Sequence, residues 1–120
     1  MMGKFSIGTD LIEVSRIKRL VRGRDFLDRI FTKSEQAYCA GKKNAAQHFA
    51  VRFAAKEAVW KALSELKVAG IGHKEIGVRR SESGRPSVQL SPRLKKYEPK
   101  IQLSLSHTED YALAVAIFIR

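Results

Sequence analysis

Arg52-Phe53-Ala54-Ala55-Lys56-Glu57-Ala58-Val59-Trp60-Lys61-Ala62-Leu63 is the stretch that decides how this chain folds. It is rich in helix formers and has neither glycine nor proline. Val51, Ala55, Ala58 and Ala62 recur at spacings of four, three and four, the stripe of a helix laid into a core. Lys56, Glu57 and Lys61 are set into or beside that stripe, where charge costs free energy unless something compensates it. Glu57 and Lys61 share a face. A glutamate N-terminal to a lysine at this spacing makes an intrahelical pair worth a few tenths of a kcal/mol. A metal ion and a polyanionic ligand are the other compensation these residues allow.

The surrounding sequence supplies a sheet for this helix. Phe5, Ile7, Thr9 and Leu11 alternate, so residues 4–11 read as a strand, and Val14, Ile17 and Val21 continue at helical spacing to about residue 22. A short helix follows over residues 26–30. Thr32-Lys33-Ser34-Glu35 has the form of a capping box and starts a helix ending near Gly41. The charged helix spans residues 45–67, with Gly70 as its stop. Ile76 and Val78 form a short strand, Ser83-Gly84-Arg85-Pro86 a turn, and residues 87–90 a second strand. Ser91-Pro92 opens a helical turn. Ile101, Leu103 and Leu105 alternate, and Tyr111–Ile119 is so apolar that it predicts a strand buried on both faces. With no repeat, low-complexity tract or linker, residues 1–120 read as one α+β domain, an antiparallel sheet packed against a long central helix.

Composition narrows the function classes. The 23 lysines and arginines outnumber the 12 acidic residues, for a formal net charge of +11. That excess predicts a polyanionic partner: nucleic acid, an anionic membrane, an acidic protein or a phosphate-rich small molecule. Cys39 is the only cysteine, which excludes an internal disulfide and fits a reducing compartment; its own reading is a small buried hydrophobe. Asp10 and Glu13 fall where a signal sequence needs apolar residues, and no apolar run approaches the ~20 residues of a membrane span. A cytoplasmic protein without a membrane partner is expected. His48, His73 and His107 lack zinc-like spacing.

Asp10, at the end of an apolar strand, reads equally as a helix N-cap or as a ligand. Paired with Glu57 it fits Mg²⁺, which takes one or two protein carboxylates and completes its shell with phosphates and water. His107, in Ser106-His107-Thr108, can serve as acid, base or phosphate ligand at a strand end. A Ser-His-Asp hydrolase is a poor reading, because adjacent strand residues point to opposite faces and there is no Gly-x-Ser-x-Gly elbow. Gly84-Arg85-Pro86 and Gly70-Ile71-Gly72 offer turns that could approach a phosphate, but neither is a Walker or dinucleotide fingerprint. Arg16, Arg19 and Arg22, with Lys18, form a basic helical face that is either a solvated surface or a dock for an acidic partner.

In this order, Ile7-Gly8-Thr9-Asp10, Arg52 to Ala58 with Lys61-Ala62-Leu63, Gly84-Arg85-Pro86 and Ser106-His107-Thr108 resemble the holo-[acyl-carrier-protein] synthases, the short type of 4'-phosphopantetheinyl transferase. The likeness covers residues 5–118. Thr9 stands where an apolar residue is more usual, and Arg85 where lysine is frequent. The resemblance implies Mg²⁺-dependent transfer of the phosphopantetheine arm of coenzyme A to a serine of acyl carrier protein, in fatty acid biosynthesis, with adenosine 3',5'-bisphosphate leaving. It implies that Asp10 and Glu57 hold the metal, and that Arg52, Lys61, Gly84, Arg85, Pro86, His107 and Thr108 surround coenzyme A. It implies a homotrimer with active sites between subunits. The serine proton would go to Glu57, directly or through a metal-bound water, or to His107. Arg16, Arg19 and Arg22 would dock the acidic carrier protein. The competing class is a basic nucleic-acid-binding module, against which stands the lack of an RRM signature, zinc fingers or a basic recognition helix. A catalytically dead carrier-protein binder is a third reading, disfavoured by the intact acid pair.

Overall fold

A glycine sets how closely the central helix lies on the sheet. The computed structural model describes residues 3–120, so the first two positions of the predicted domain lie outside it. Strand β1 (Phe5–Glu13) leads into α1 (Val14–Leu20), α2 (Arg24–Ile30), α3 (Lys33–Ala40) and the long α4 (Ala45–Leu63). Then come β2 (Ile76–Arg80), β3 (Pro86–Leu90), β4 (Ile101–His107) and β5 (Tyr111–Ile119). The antiparallel order is β1-β5-β4, with β2-β3 as a separate hairpin. Helix α4 lies across β1 and β5, the predicted α+β arrangement. At Gly8 a Cβ atom would stand 1.9 Å from the Ala58 carbonyl oxygen and 2.8 Å from the Ala62 nitrogen. Ala112, Ala114 and Ala116 of β5 present equally small side chains, all buried, toward the helix. The Ser6 hydroxyl donates to the Ala62 carbonyl at 2.6 Å and pins the strand to the end of α4.

The helix is buried more completely than a one-sided stripe predicts. Every residue from Phe49 through Lys56 is buried, because the sheet covers one side while α1, α3 and β2 cover the others. Lys56 is accommodated by a fully bonded network. Its Nζ lies 2.7 Å from Glu35 Oε1 and donates to the carbonyls of Ile76 (2.7 Å) and His73 (3.1 Å). Glu35 also completes the predicted capping box at Thr32 and accepts from the Val78 N–H at 2.8 Å. Burial pushes the Lys56 ammonium below its ordinary value, and the Glu35 carboxylate opposes that drop. Removing one partner strands the other. Lys56→Ala is expected to lower the unfolding free energy by roughly 3 kcal/mol or more, whereas Lys56→Met with Glu35→Gln, which leaves no unpaired charge and keeps a side-chain acceptor at position 35, loses less. Urea denaturation of the two variants checks this, and equal losses in both would contradict it.

Three sequence expectations are corrected. Helix α4 stops at Leu63 rather than near residue 67; a 3₁₀ turn, Ser64–Leu66, and the left-handed Lys67 (φ 57°) end it before Gly70. Helix α1 stops at Leu20, so Arg22 sits in the following turn rather than on the face of Arg16 and Arg19. Strand β5 is buried on one face only. Ala112, Ala114, Ala116 and Phe118 face α4, while Tyr111, Leu113 and Ile119 are exposed together with Phe5, Ile7 and Leu11 of β1. A single layer of helix covers one side of the sheet and leaves an apolar outer face.

Candidate active site

Asp10 projects from the helix-facing side of β1, two residues beyond the close approach at Gly8. Lys61 meets it there: its Nζ donates to the Thr9 carbonyl at 2.8 Å and lies 3.4 Å from Asp10 Oδ1. Burial raises the Asp10 carboxyl above its ordinary value. Lys61 pulls it back down, the charge of Glu57 adds to the rise, and Arg16 opposes it. The two acids named from the sequence therefore share one electrostatic site, with Lys61 one turn along α4 from Glu57.

Glu57 faces a second neighbour that sequence reasoning missed. His73 Nε2 lies 3.7 Å from Glu57 Oε2, and its ring stacks on Phe53 with centroids 5.8 Å apart and planes 11° apart. Lys56, Glu57, Trp60, Ile71, His73 and Ile76 line a cleft of about 240 Å³. No local pattern marks His73, because its approach depends on how residues 64–75 fold back over α4.

The donor set suits a hard cation. Two carboxylates offer oxygen only, which matches Mg²⁺ rather than a thiophilic metal. Among the described residues no cluster of three or more His, Cys, Asp or Glu could hold a metal. The remaining coordination positions would thus fall to ligand phosphates and water.

The other coenzyme A candidates gather elsewhere. Arg52 is buried along its stem; it donates to the His48 carbonyl at 3.2 Å and lies 4.4 Å from the Tyr38 ring centroid, which Lys42 also approaches at 4.5 Å. Arg52, Arg79, Arg80, Gly84, Pro86 and Leu105 help to line a cleft of about 270 Å³. Gly84 has φ +84°, a conformation other residues rarely adopt, and closes the turn by donating to the Ser81 carbonyl. Arg85 lines an adjoining cleft with Gln102 and Leu103 instead. His107 follows Leu105 on the same face of β4, close enough for its charge to act on His48. The Thr108 hydroxyl oxygen accepts from the N–H groups of Asp110 and Tyr111, so it builds the β4–β5 turn while its own O–H stays free to donate.

Asp10 belongs to β1 and His107 to β4, with β5 between them. Within one chain the candidates thus form two half-sites, an acidic one at one edge of the sheet and a basic one at the other. Arg16, Arg19 and Arg22 are exposed, and Arg16 is close enough for its charge to act on Asp10.

The sequence profile of the 4'-phosphopantetheinyl transferase superfamily matches residues 6–116. The chain belongs to this superfamily. A holo-[acyl-carrier-protein] synthase of Protochlamydia amoebophila is 43% identical over 116 residues, covering 93% of this chain and 95% of its own length. The crystal structure of the holo-[acyl-carrier-protein] synthase of Neisseria meningitidis superposes with a TM-score of 0.82 at 32% identity, covering 96% of this chain and 98% of that one. The Bacillus anthracis synthase, solved in complex with CoA (3',5'-ADP), gives 0.76 at 30% identity, covering 95% of both chains. Both the α+β fold and the family resemblance read from the motifs are borne out. As in any phosphopantetheinyl transferase, the chemistry to be accounted for is phosphoryl transfer, in which positioning and charge neutralisation carry most of the work.

Proposed function

We propose that this protein transfers the 4'-phosphopantetheine group of coenzyme A to a serine of acyl carrier protein in the cytoplasm, in service of fatty acid biosynthesis. The observation that carries the proposal is the meeting of Asp10, Glu57 and Lys61 at one edge of the sheet in a chain so similar to the synthases. Asp10 and Glu57 would hold Mg²⁺, which when bound neutralises the pyrophosphate and stabilises the departing bisphosphate. Lys61 adds a cation for a phosphate oxygen. The serine Oγ forms a bond to the phosphorus carrying the pantetheine arm, and the bond from that phosphorus to the bridging oxygen breaks. Adenosine 3',5'-bisphosphate takes the bond electrons, and the Oγ proton passes to Glu57. His107 is the other candidate base, supplied from the basic half-site.

The separation of the half-sites bears on assembly. Coenzyme A needs the acidic site for its pyrophosphate and cations for its adenosine 3'-phosphate. Arg52, Gly84, Arg85, Pro86, His107 and Thr108 would supply the latter from a neighbouring subunit. A homotrimer packed on the apolar outer face of β1 and β5 would cover that face and set the acidic edge of one subunit against the basic edge of the next.

Incubation of apo acyl carrier protein with this chain, coenzyme A and Mg²⁺, followed by intact mass measurement, tests the function. The carrier is expected to gain one phosphopantetheine, with a chelator blocking the gain; an unmodified carrier would overturn the proposal. The basic patch has its own test. Arg16→Glu, Arg19→Glu and Arg22→Glu combined should raise KM for the carrier on the order of tenfold, with KM for coenzyme A unchanged and the salt dependence flattened. Equal changes in both constants would remove docking from this surface.

A further inference from the structure

The bend between α4 and β2, residues 64–75, carries Ile71 and His73, which wall the cleft beside Glu57. Its own backbone does little to hold it. Lys67 donates to the Ser64 carbonyl and Glu75 to the Gly72 carbonyl, while Lys67 and Gly70 both take left-handed conformations at φ 57°. Side chains from outside the bend supply the rest. Lys56 holds the His73 carbonyl. Arg93, in the 3₁₀ segment Pro92–Lys100, holds the bend at two further points.

The Arg93 contacts join two separate points. Nη2 donates to the carbonyls of Ala69 (3.0 Å) and Gly70 (3.2 Å). The same guanidinium grips the Glu75 carboxylate, Nε on Oε1 at 2.7 Å and Nη2 on Oε2 at 2.8 Å. Glu75 in turn accepts from the Gly72 N–H at 3.1 Å and from the Ser91 hydroxyl at 2.8 Å. One planar fork thus ties residues 69–70 to residue 75, and Ile71 and His73 lie between the tied points. The Arg93 fork first, then the Gly72 N–H and the Ser91 hydroxyl, hold the Glu75 carboxyl down at about 2, so the clamp stays charged at any ordinary pH.

We propose that Arg93, which lines none of the clefts described above, is a positioning residue for the transferase site, stapling the bend so that Ile71 and His73 form a fixed wall beside Glu57 for the bound donor. The inference rests on the transferase reading given above. It needs an arginine: a lysine is a point charge and cannot fork onto a carboxylate while bridging two carbonyls. A wall that serves bound substrate and transition state alike changes KM more than kcat.

The test uses the full chain with Arg93→Gln, Arg93→Lys and, as a control, Lys95→Gln, which breaks the exposed Lys95–Glu98 pair of the same segment. Hydrogen exchange of residues 69–74 and steady-state kinetics with coenzyme A are read together. Both Arg93 variants should exchange faster in that bend by about tenfold and raise KM for coenzyme A by about tenfold, with kcat within about threefold of wild type. Their melting temperatures should stay within a few degrees of wild type, because the pair is half exposed. Lys95→Gln should match wild type in every readout. Wild-type exchange in the Arg93 variants, faster exchange with an unchanged KM, or full rescue by lysine would each overturn the proposal. A wild-type protein that does not modify the carrier would instead overturn the transferase reading, while the exchange data still decide whether Arg93 holds the bend.

Discussion

Glu57→Ala and Asp10→Ala are each expected to lower kcat/KM for coenzyme A-dependent transfer by at least about a thousandfold, the scale on which removal of a preorganised electrostatic group acts. Phosphoryl transfer leaves the protein little to do but place groups and neutralise charge, so losing half of a two-carboxylate site removes most of what this edge contributes. The fold should survive both changes. Glu57 makes one side-chain contact of note, the 3.7 Å approach of His73. Asp10 is held against its own preference, since burial already raises its carboxyl. Without Asp10, Lys61 keeps its bond to the Thr9 carbonyl. Intact mass measurement of the carrier protein reads the activity, and far-UV circular dichroism with a urea titration reads the fold. Metal-dependent transfer retained in both variants would end the site assignment.

Gly8→Val should prevent stable folding. A Cβ at this position falls 1.9 Å from the Ala58 carbonyl oxygen and 2.9 Å from its carbon, against backbone that cannot rotate away. Accommodating it requires α4 to lift off β1. The contacts of Ala58, Ala62, Ala114 and Ala116 would then open together, since all are buried. The expected destabilisation exceeds about 4 kcal/mol, beyond ordinary core overpacking, because the clash is with main chain. Even the single methyl of Gly8→Ala should cost much of this. Because Asp10 lies two residues on, a lifted helix also separates Asp10 from Lys61. Any partly folded variant should therefore lose transfer more steeply than it loses helix content. Thermal unfolding followed alongside activity checks both, and a Gly8→Val protein with a wild-type melting temperature would contradict the packing described here.

Much of the candidate site was legible in the residues before any fold was known. Asp10, Glu57 and Lys61 stood out because charge set among apolar residues calls for a partner, and all three meet at one edge. The Thr32–Glu35 capping box is present, since a capping signal is local. Other features were not legible. Lys56 reads as one more charge on an apolar helix until its partner Glu35 arrives from α3. His73 carries no motif, and Arg93 sits in a polar run that resembles any exposed turn. The outer face of β5 misled for a related reason: apolar residues on both sides of a strand do not say that this chain covers both, and Tyr111, Leu113 and Ile119 are exposed.

Local patterns specified the elements and the α+β class, because periodicity, capping and turn chemistry act over a few residues; the ordered motifs pointed to the family, and charge among apolar residues singled out Asp10 and Glu57 as candidates. Which residues become neighbours was settled by the assembled fold. It placed β5 between β1 and β4, and so put Asp10 and His107 on the opposite edge strands of one sheet. It brought Glu35 to Lys56, His73 to Glu57 and Arg93 to the bend. Hydrophobic patterning specifies which face of an element turns inward, but what that face meets depends on strand order and chain reversals settled by the whole core at once.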